Sequence, residues 1–287
     1  MLAVIFAILT FIGWGTGDIF GVFSSRRLGA FRSALWVNII TVPYLAILAP
    51  FFLDELFTFT LPILILNAVL GVIVTCAFMA FLEGARLGKP SIVGAIAGSF
   101  PALVVILSII FLGEKLSSIQ ALAIVVIIAG IVLTSINFKE LSGSKVKLER
   151  SIGFALLAMA LWGIFFTFIR IPVQQVGWFW ANAVSNFAGI LALLAYGWRS
   201  SGLSRSDIRQ GIPPIIGVVL LGGTAMLTYN VAVEVGKNSI VAPIAGAYPV
   251  LFVILSSIIF KDKLTKHQVF GMILALTGIV ALSLASA

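Results

Sequence analysis

The chain carries few residues able to do chemistry, and Asp18 is the first of them. It stands inside the apolar stretch that opens the sequence. A carboxylate at that depth is costly, so its presence is by default a functional expectation. Removed from water, such a group can bind and release a proton or hold a cation. Trp14 precedes it by one helical turn, and Gly17 and Gly21 flank it, allowing a neighbouring helix or a small ligand to come close. The alternative is structural: Asp18 reaches the headgroups or pairs with Arg26 or Arg27 near the same helix end. Arg170 has a similar choice between attracting an anionic group and anchoring in the headgroup layer. The single cysteine, Cys76, excludes an intrachain disulfide; with one histidine, His267, and no cluster of Cys, His, Asp or Glu at metal-ligand spacing, no cofactor is expected. Cys76 is expected to be a small packing residue, and His267 a solvated loop residue.

Neutral polar and aromatic groups supply the remaining candidates. Trp14, Trp162, Tyr229 and Tyr248 can wall a cavity for an organic solute, with Asp18, Ser99, Thr167 and Asn230 as polar contacts. Asn182, Ser185 and Asn186 share one face of their helix, whereas the consecutive Tyr229 and Asn230 cannot. The same side chains can instead join helices by hydrogen bonds.

All of these must be positioned by apolar helices. The chain is 61% hydrophobic and 10% charged, with mean hydropathy +1.20, against roughly 25% charged residues in soluble domains. It reads as an all-α polytopic membrane protein. Its net charge of +8 fits cytoplasmic loop bias rather than nucleic-acid binding. At roughly 20 apolar residues per crossing, ten spans are predicted, near 2–22, 35–53, 61–82, 91–112, 118–137, 151–171, 178–197, 212–233, 239–260 and 267–286. The opening run lacks a basic start and a cleavage site, so a retained span is expected there.

One segment occurs twice. Residues 88–116 and 236–264 align without a gap at an offset of 148, with 17 of 29 positions identical. The same register pairs Trp14 with Trp162 and Gln120 with Gln268. The chain therefore divides into a first repeat (1–138), a linker (139–150) and a second repeat (151–287). Five spans per repeat is an odd number, so the second must enter the membrane upside down, about an axis in the membrane plane. Of the 18 Lys and Arg residues, 15 fall in loops on one side and three, Lys115, Arg170 and Lys237, on the other. The positive-inside rule makes the basic end cytoplasmic and puts both termini outside. Within the duplicated segment, Gly94 and Gly98 match Ala242 and Gly246, a spacing suited to close helix crossing. Pro101 and Pro249 are expected to kink their helices and disturb the carbonyls of Ala97 and Ala245, as a hinge or cavity wall.

The paired Trp-Gly steps (Trp14-Gly15, Trp162-Gly163), the proline-bearing fourth span and the Gly-Glu-Lys-Leu exit (Gly113 to Leu116) resemble the EamA-type transporters of the drug/metabolite transporter superfamily. The likeness covers nearly the whole chain. It implies ten helices around a central cavity, lined by the first, third and fourth helix of each repeat, and the movement of small metabolites or of hydrophobic drugs. Members of that family are usually drawn with both termini in the cytoplasm, which the charge distribution here opposes. The resulting expectation is a secondary transporter for a small amphipathic organic solute, proton-coupled or exchanging, monomeric or homodimeric, with lipid as its other partner. No nucleotide-binding loop is present. A multidrug or cationic exporter is the nearest alternative. A membrane enzyme is disfavoured by the lack of a nucleophile–base cluster, and a channel by the internal inversion.

Overall fold

The computed structural model describes residues 1–87, 90–135, 145–197, 205–260 and 264–286. These form α1 (Leu2–Leu28), α2 (Ala30–Leu48), α3 (Leu61–Leu87), α4 (Pro90–Ala97), α5 (Phe100–Leu112), α6 (Ser118–Ser135), α7 (Lys145–Phe168), α8 (Arg170–Gly197), α9 (Arg205–Val218), α10 (Thr224–Val235), α11 (Asn238–Gly246), α12 (Tyr248–Phe260) and α13 (Lys266–Leu284). Eight spans are long and apolar enough to cross a membrane, and Phe100–Leu112 and Ser118–Thr134 are shorter apolar helices. Helices close their own backbone hydrogen bonds, which a lipid environment requires. The chain is thus a multi-pass membrane protein, with ten apolar spans among the described residues, in two inverted five-span repeats.

The inversion is visible in reciprocal contacts. Asn186 Nδ2 donates to Asn38 Oδ1 at 3.0 Å across 148 residues. Two positions related by the repeat can touch in this way only beside the axis that relates them. Gly130 packs on Ala275, and the equivalent Gly278 packs on Ile127, joining α6 to α13. Gly29 and Gly177 hold the same left-handed φ, 78° and 77°, and turn the chain after the first span of each repeat. A side chain with a Cβ would strain both turns. The halves do not form separate bodies, because α1 packs on α9 to α12 while α3 packs on α7 and α8.

Several expectations change. The fourth and ninth spans are not single kinked helices but pairs of half-helices, α4/α5 and α11/α12, separated at Gly98-Ser99 and at Ala247. Pro101 and Pro249 stand second in the following half-helix, where a missing N–H costs little, so the break precedes them rather than following from a lost bond one turn back. Short turns bridge the gaps: Ser99 N–H donates to Ile96 O at 3.1 Å and Ala247 N–H to Ile244 O at 3.4 Å. The eighth span carries a π-helical turn at Val219–Gly223. The sixth span continues past residue 171 to the bend at Gly177. The predicted linker lies partly outside the described residues, and its last part, from Lys145, is already helical. Cys76 is exposed on α3 rather than packed.

The two breaks meet. Gly246 lies against Pro101, and the equivalent Gly98 lies against Pro249. A Cβ on Gly246 overlaps the rigid Pro101 ring, whereas a Cβ on Gly94 meets nothing within 4 Å. Gly246→Ala is therefore expected to destabilise the protein by about 1–3 kcal/mol, and Gly94→Ala to leave it unchanged, as read by denaturation of the purified proteins. Equal stability of the two would show that the crossing is loose.

Candidate functional site

A cavity of about 240 Å3 lies where the repeats face each other. Most of its lining forms equivalent pairs at the 148-residue offset: Trp14/Trp162, Asp18/Phe166, Asn38/Asn186, Val74/Gly222, Thr75/Gly223, Phe78/Met226 and Phe100/Tyr248. A cavity walled by both members of so many pairs straddles the repeat axis. The helices bring these residues inward by ordinary periodicity. Asn38 and Thr41 lie on one face of α2, Val74, Phe78 and Phe81 on one face of α3, and Asn182 and Asn186 on one face of α8. The π turn adds Val219, Gly222 and Gly223. Turns of this kind recur at functional sites, because the extra residue re-aims the helix face.

The aromatic wall repeats the same symmetry. Trp14 lies 5.4 Å from Tyr229 and 5.7 Å from Tyr248, centroid to centroid. Its equivalent, Trp162, lies 5.4 Å from Phe81 and 5.8 Å from Phe100. The symmetry fails most sharply at one place. Phe100 and Phe166 stack at 4.9 Å, and their equivalents are Tyr248 and Asp18. One wall is a pair of phenyl rings, and the opposite wall offers a phenol and a carboxylate. Asp18 is the one charged residue in the described lining, and it has no ion pair or hydrogen-bond partner among the described residues, Arg26 and Arg27 included. The Gly17 expectation is met by a close approach to the backbone of Gly222, so α1 is held tightly beside the π turn.

Of the residues singled out from sequence, Trp14, Asp18, Trp162 and Tyr248 line the cavity, and Ser99, Thr167, Tyr229 and Asn230 do not. Ser99 sits at the turn between α4 and α5. Thr167 is fully buried and donates back to Gly163 O at 2.7 Å. Tyr229 stacks behind Trp14 and donates to Asn238 Oδ1 at 3.0 Å. Asn230 Nδ2 donates to Trp178 O at 3.3 Å. Thr167, Tyr229 and Asn230 form a buried layer between the cavity and the end opposite the basic loops. Asn238 continues it, donating from Nδ2 to Phe166 O at 2.7 Å and to Thr167 O at 3.2 Å.

Glu114 completes this layer and is a residue that sequence reasoning treats only as part of an exit motif. It is buried, it pairs with Arg170, and its two oxygens accept the Asn238 and Ser239 N–H groups at 2.8 Å each. The carboxylate thereby caps α11, satisfying donors that a helix start leaves open. Arg170 is engaged in this pair rather than free in the headgroup layer. Phe78, Phe81, Phe166 and Met226 also escape sequence reasoning, since apolar residues of a span look alike whether they face lipid or a cavity. The signal that finds them is the 148-residue register applied to the lining. Among the described residues, no group of three His, Cys, Asp or Glu is placed to hold a metal ion.

Known proteins place this architecture. The chain is similar over 99% of its length to a solved crystal structure, 97% of which is covered, with TM-score 0.77 and 16% identity, a likeness of fold. It is 30% identical over 140 residues to an uncharacterised protein of Methanocaldococcus jannaschii, matching 48% of this chain and 100% of that one. It is also 30% identical over 139 residues to an uncharacterised transporter of Archaeoglobus fulgidus, matching 48% of this chain and 41% of that relative. The sequence model of the EamA-like transporter family matches residues 1–136 and again 150–284. Both halves of the chain carry the match, and the chain belongs to the EamA-like transporter family, as a membrane transporter.

Proposed function

We propose that the protein is a secondary transporter that passes a small organic solute through the central cavity by alternating access, with Asp18 as the proton-carrying group. The observation behind this reading is the single unpaired carboxylate on an otherwise pseudo-symmetric cavity wall. A cavity on the axis of an inverted repeat can exchange its two accesses when one repeat rocks against the other. The half-helix crossings at Pro101/Gly246 and Pro249/Gly98 are its hinge, since they join the repeats without a continuous helical ladder. The side toward Glu114 is closed by the Trp14, Phe166 and Tyr229 rings. The lining reaches toward the basic end as far as Asp18, Phe81 and Val218.

The walls suit a neutral or zwitterionic solute with an aromatic or apolar part. Trp14, Phe78, Phe100, Trp162 and Phe166 stack against that part, and Asn38, Asn182, Asn186, Thr75 and Tyr248 supply hydrogen bonds. A second reading is a cationic solute, favoured by Asp18 being the one charge in the described lining. A thermal-shift screen of the purified protein against amino acids, nucleosides, sugars and cationic drugs tests both, because a ligand of the folded state raises its apparent stability. A true ligand stabilises the wild type and is lost in Trp14→Ala. A panel without any such compound, or shifts indifferent to Trp14, would sink the reading of the cavity as a solute site.

We place the basic end in the cytoplasm of the cell membrane and both termini outside, on the charge distribution. On a Cys76→Ala background, Ser117→Cys is expected to react with an impermeant maleimide in intact cells, and Ser204→Cys only after permeabilisation. The reverse pattern overturns the orientation without touching the fold.

A further inference from the structure

The span reading of the sequence assigns three of the 18 Lys and Arg residues to the end opposite the basic loops. They come from three separate stretches of the chain, yet all three, Lys115, Arg170 and Lys237, line one hollow of about 460 Å3, together with Glu114 and Gln174. It shares no lining residue with the central cavity. Within it the single carboxylate is already engaged: Glu114 is buried, paired with Arg170 and bonded to the Asn238 and Ser239 N–H groups. With its amide oxygen turned inward, Gln174 accepts from Arg170 Nε and Nη2 at 3.0 Å each, fixing the guanidinium. The two lysines are left facing the hollow. Lys237 Nζ donates to the Lys115 carbonyl at 2.9 Å, which ties one ammonium beside the backbone that carries the other. The Lys115 ammonium has no partner among the described residues.

Two ammonium groups and a fixed guanidinium against one engaged carboxylate leave the hollow positive. Like charges gathered this closely repel unless a counter-charge sits between them. The open face of the hollow admits a group of headgroup size. We propose that this hollow is a phosphate-binding site, in which the Lys115 and Lys237 ammonium groups hold the phosphate oxygens beside the Arg170–Glu114 pair. Lysine ammonium groups suit phosphate as mobile point charges, and each charge-assisted hydrogen bond is stronger than a neutral one. The phosphate belongs to an anionic lipid headgroup or to a soluble phosphate compound. The site does not depend on the transport reading of the central cavity.

Thermal stability of the full chain in neutral detergent provides the test, in two arms. One titrates inorganic phosphate, and the other adds phosphatidylglycerol or phosphatidylcholine to the micelles. The variant is K115Q/K237Q, both positions being exposed, and K266Q/R209Q removes two charges from exposed positions at the basic end as the control. Wild type and control should be stabilised in at least one arm, with the half-effect concentration raised about ten-fold in K115Q/K237Q. A response to phosphatidylglycerol alone assigns the lipid headgroup, and a response to phosphate assigns a soluble ligand. Absence of stabilisation in both arms, or equal responses of wild type and K115Q/K237Q, overturns the site.

Discussion

Asp18→Asn is expected to reduce proton-driven uptake in proteoliposomes to the rate of protein-free vesicles, with the folded state intact. Asparagine keeps the shape of the side chain and removes its proton-binding chemistry. Since Asp18 has no ion pair or hydrogen-bond partner among the described residues, the substitution orphans no other buried group. The stability change should therefore stay within about 0.5 kcal/mol of zero, or favour the variant. Wild-type uptake should follow the imposed pH gradient, and the variant should be indifferent to it. Solute-for-solute exchange by the variant separates coupling from binding: retained exchange makes Asp18 a coupling group, and lost exchange makes it a solute contact as well. Unchanged pH dependence of uptake would remove Asp18 from the mechanism.

The largest loss of stability is expected at Glu114→Ala. The substitution leaves the Arg170 guanidinium without its carboxylate and opens the Asn238 and Ser239 N–H groups at the start of α11. Breaking a buried ion pair from one side costs about 3–5 kcal/mol, and the lost helix cap adds about 1 kcal/mol. Glu114→Gln should fall between, because an amide oxygen still accepts one N–H. Glu114→Ala/Arg170→Ala should be less destabilised than the two single variants combined, recovering the part owed to an unpaired guanidinium but not the part owed to the cap. The comparison is made by denaturation of the purified proteins. Additive losses would mean that Glu114 and Arg170 act independently, contrary to the geometry.

The architecture was legible for a physical reason. An apolar run of membrane length leaves the backbone no option but a helix, and an odd span count under an ungapped repeat forces inversion. Asp18, Trp14 and Trp162 were legible because intramembrane charge is rare and because the repeat register singles out matched tryptophans. Tyr229, Asn230 and Thr167 were not, since a polar side chain in a span is equally suited to bonding a neighbouring helix. Tyr229 and Asn230 do so here, on Asn238 and Trp178, and Thr167 bonds back within its own helix to Gly163. Glu114 lay in a recognisable motif, but its role depends on Arg170 and α11, 56 and 124 residues away. The half-helix breaks illustrate the same limit. Proline marked the correct region, yet the break sits before each proline because Pro is tolerated at a helix start and because Gly98 and Gly246 let the opposing ring approach.

In the proposed mechanism the cavity on the repeat axis opens in turn to both sides of the membrane. Met226→Cys on a Cys76→Ala background places a thiol in the cavity lining. Its reaction rate with an impermeant maleimide, added from the outside or trapped in the lumen of proteoliposomes of fixed orientation, is the direct measurement. Reaction is expected from both sides, with reversal of the pH gradient raising the rate on one side as it lowers the other. Reaction from one side alone under either gradient, or from neither side, would contradict it.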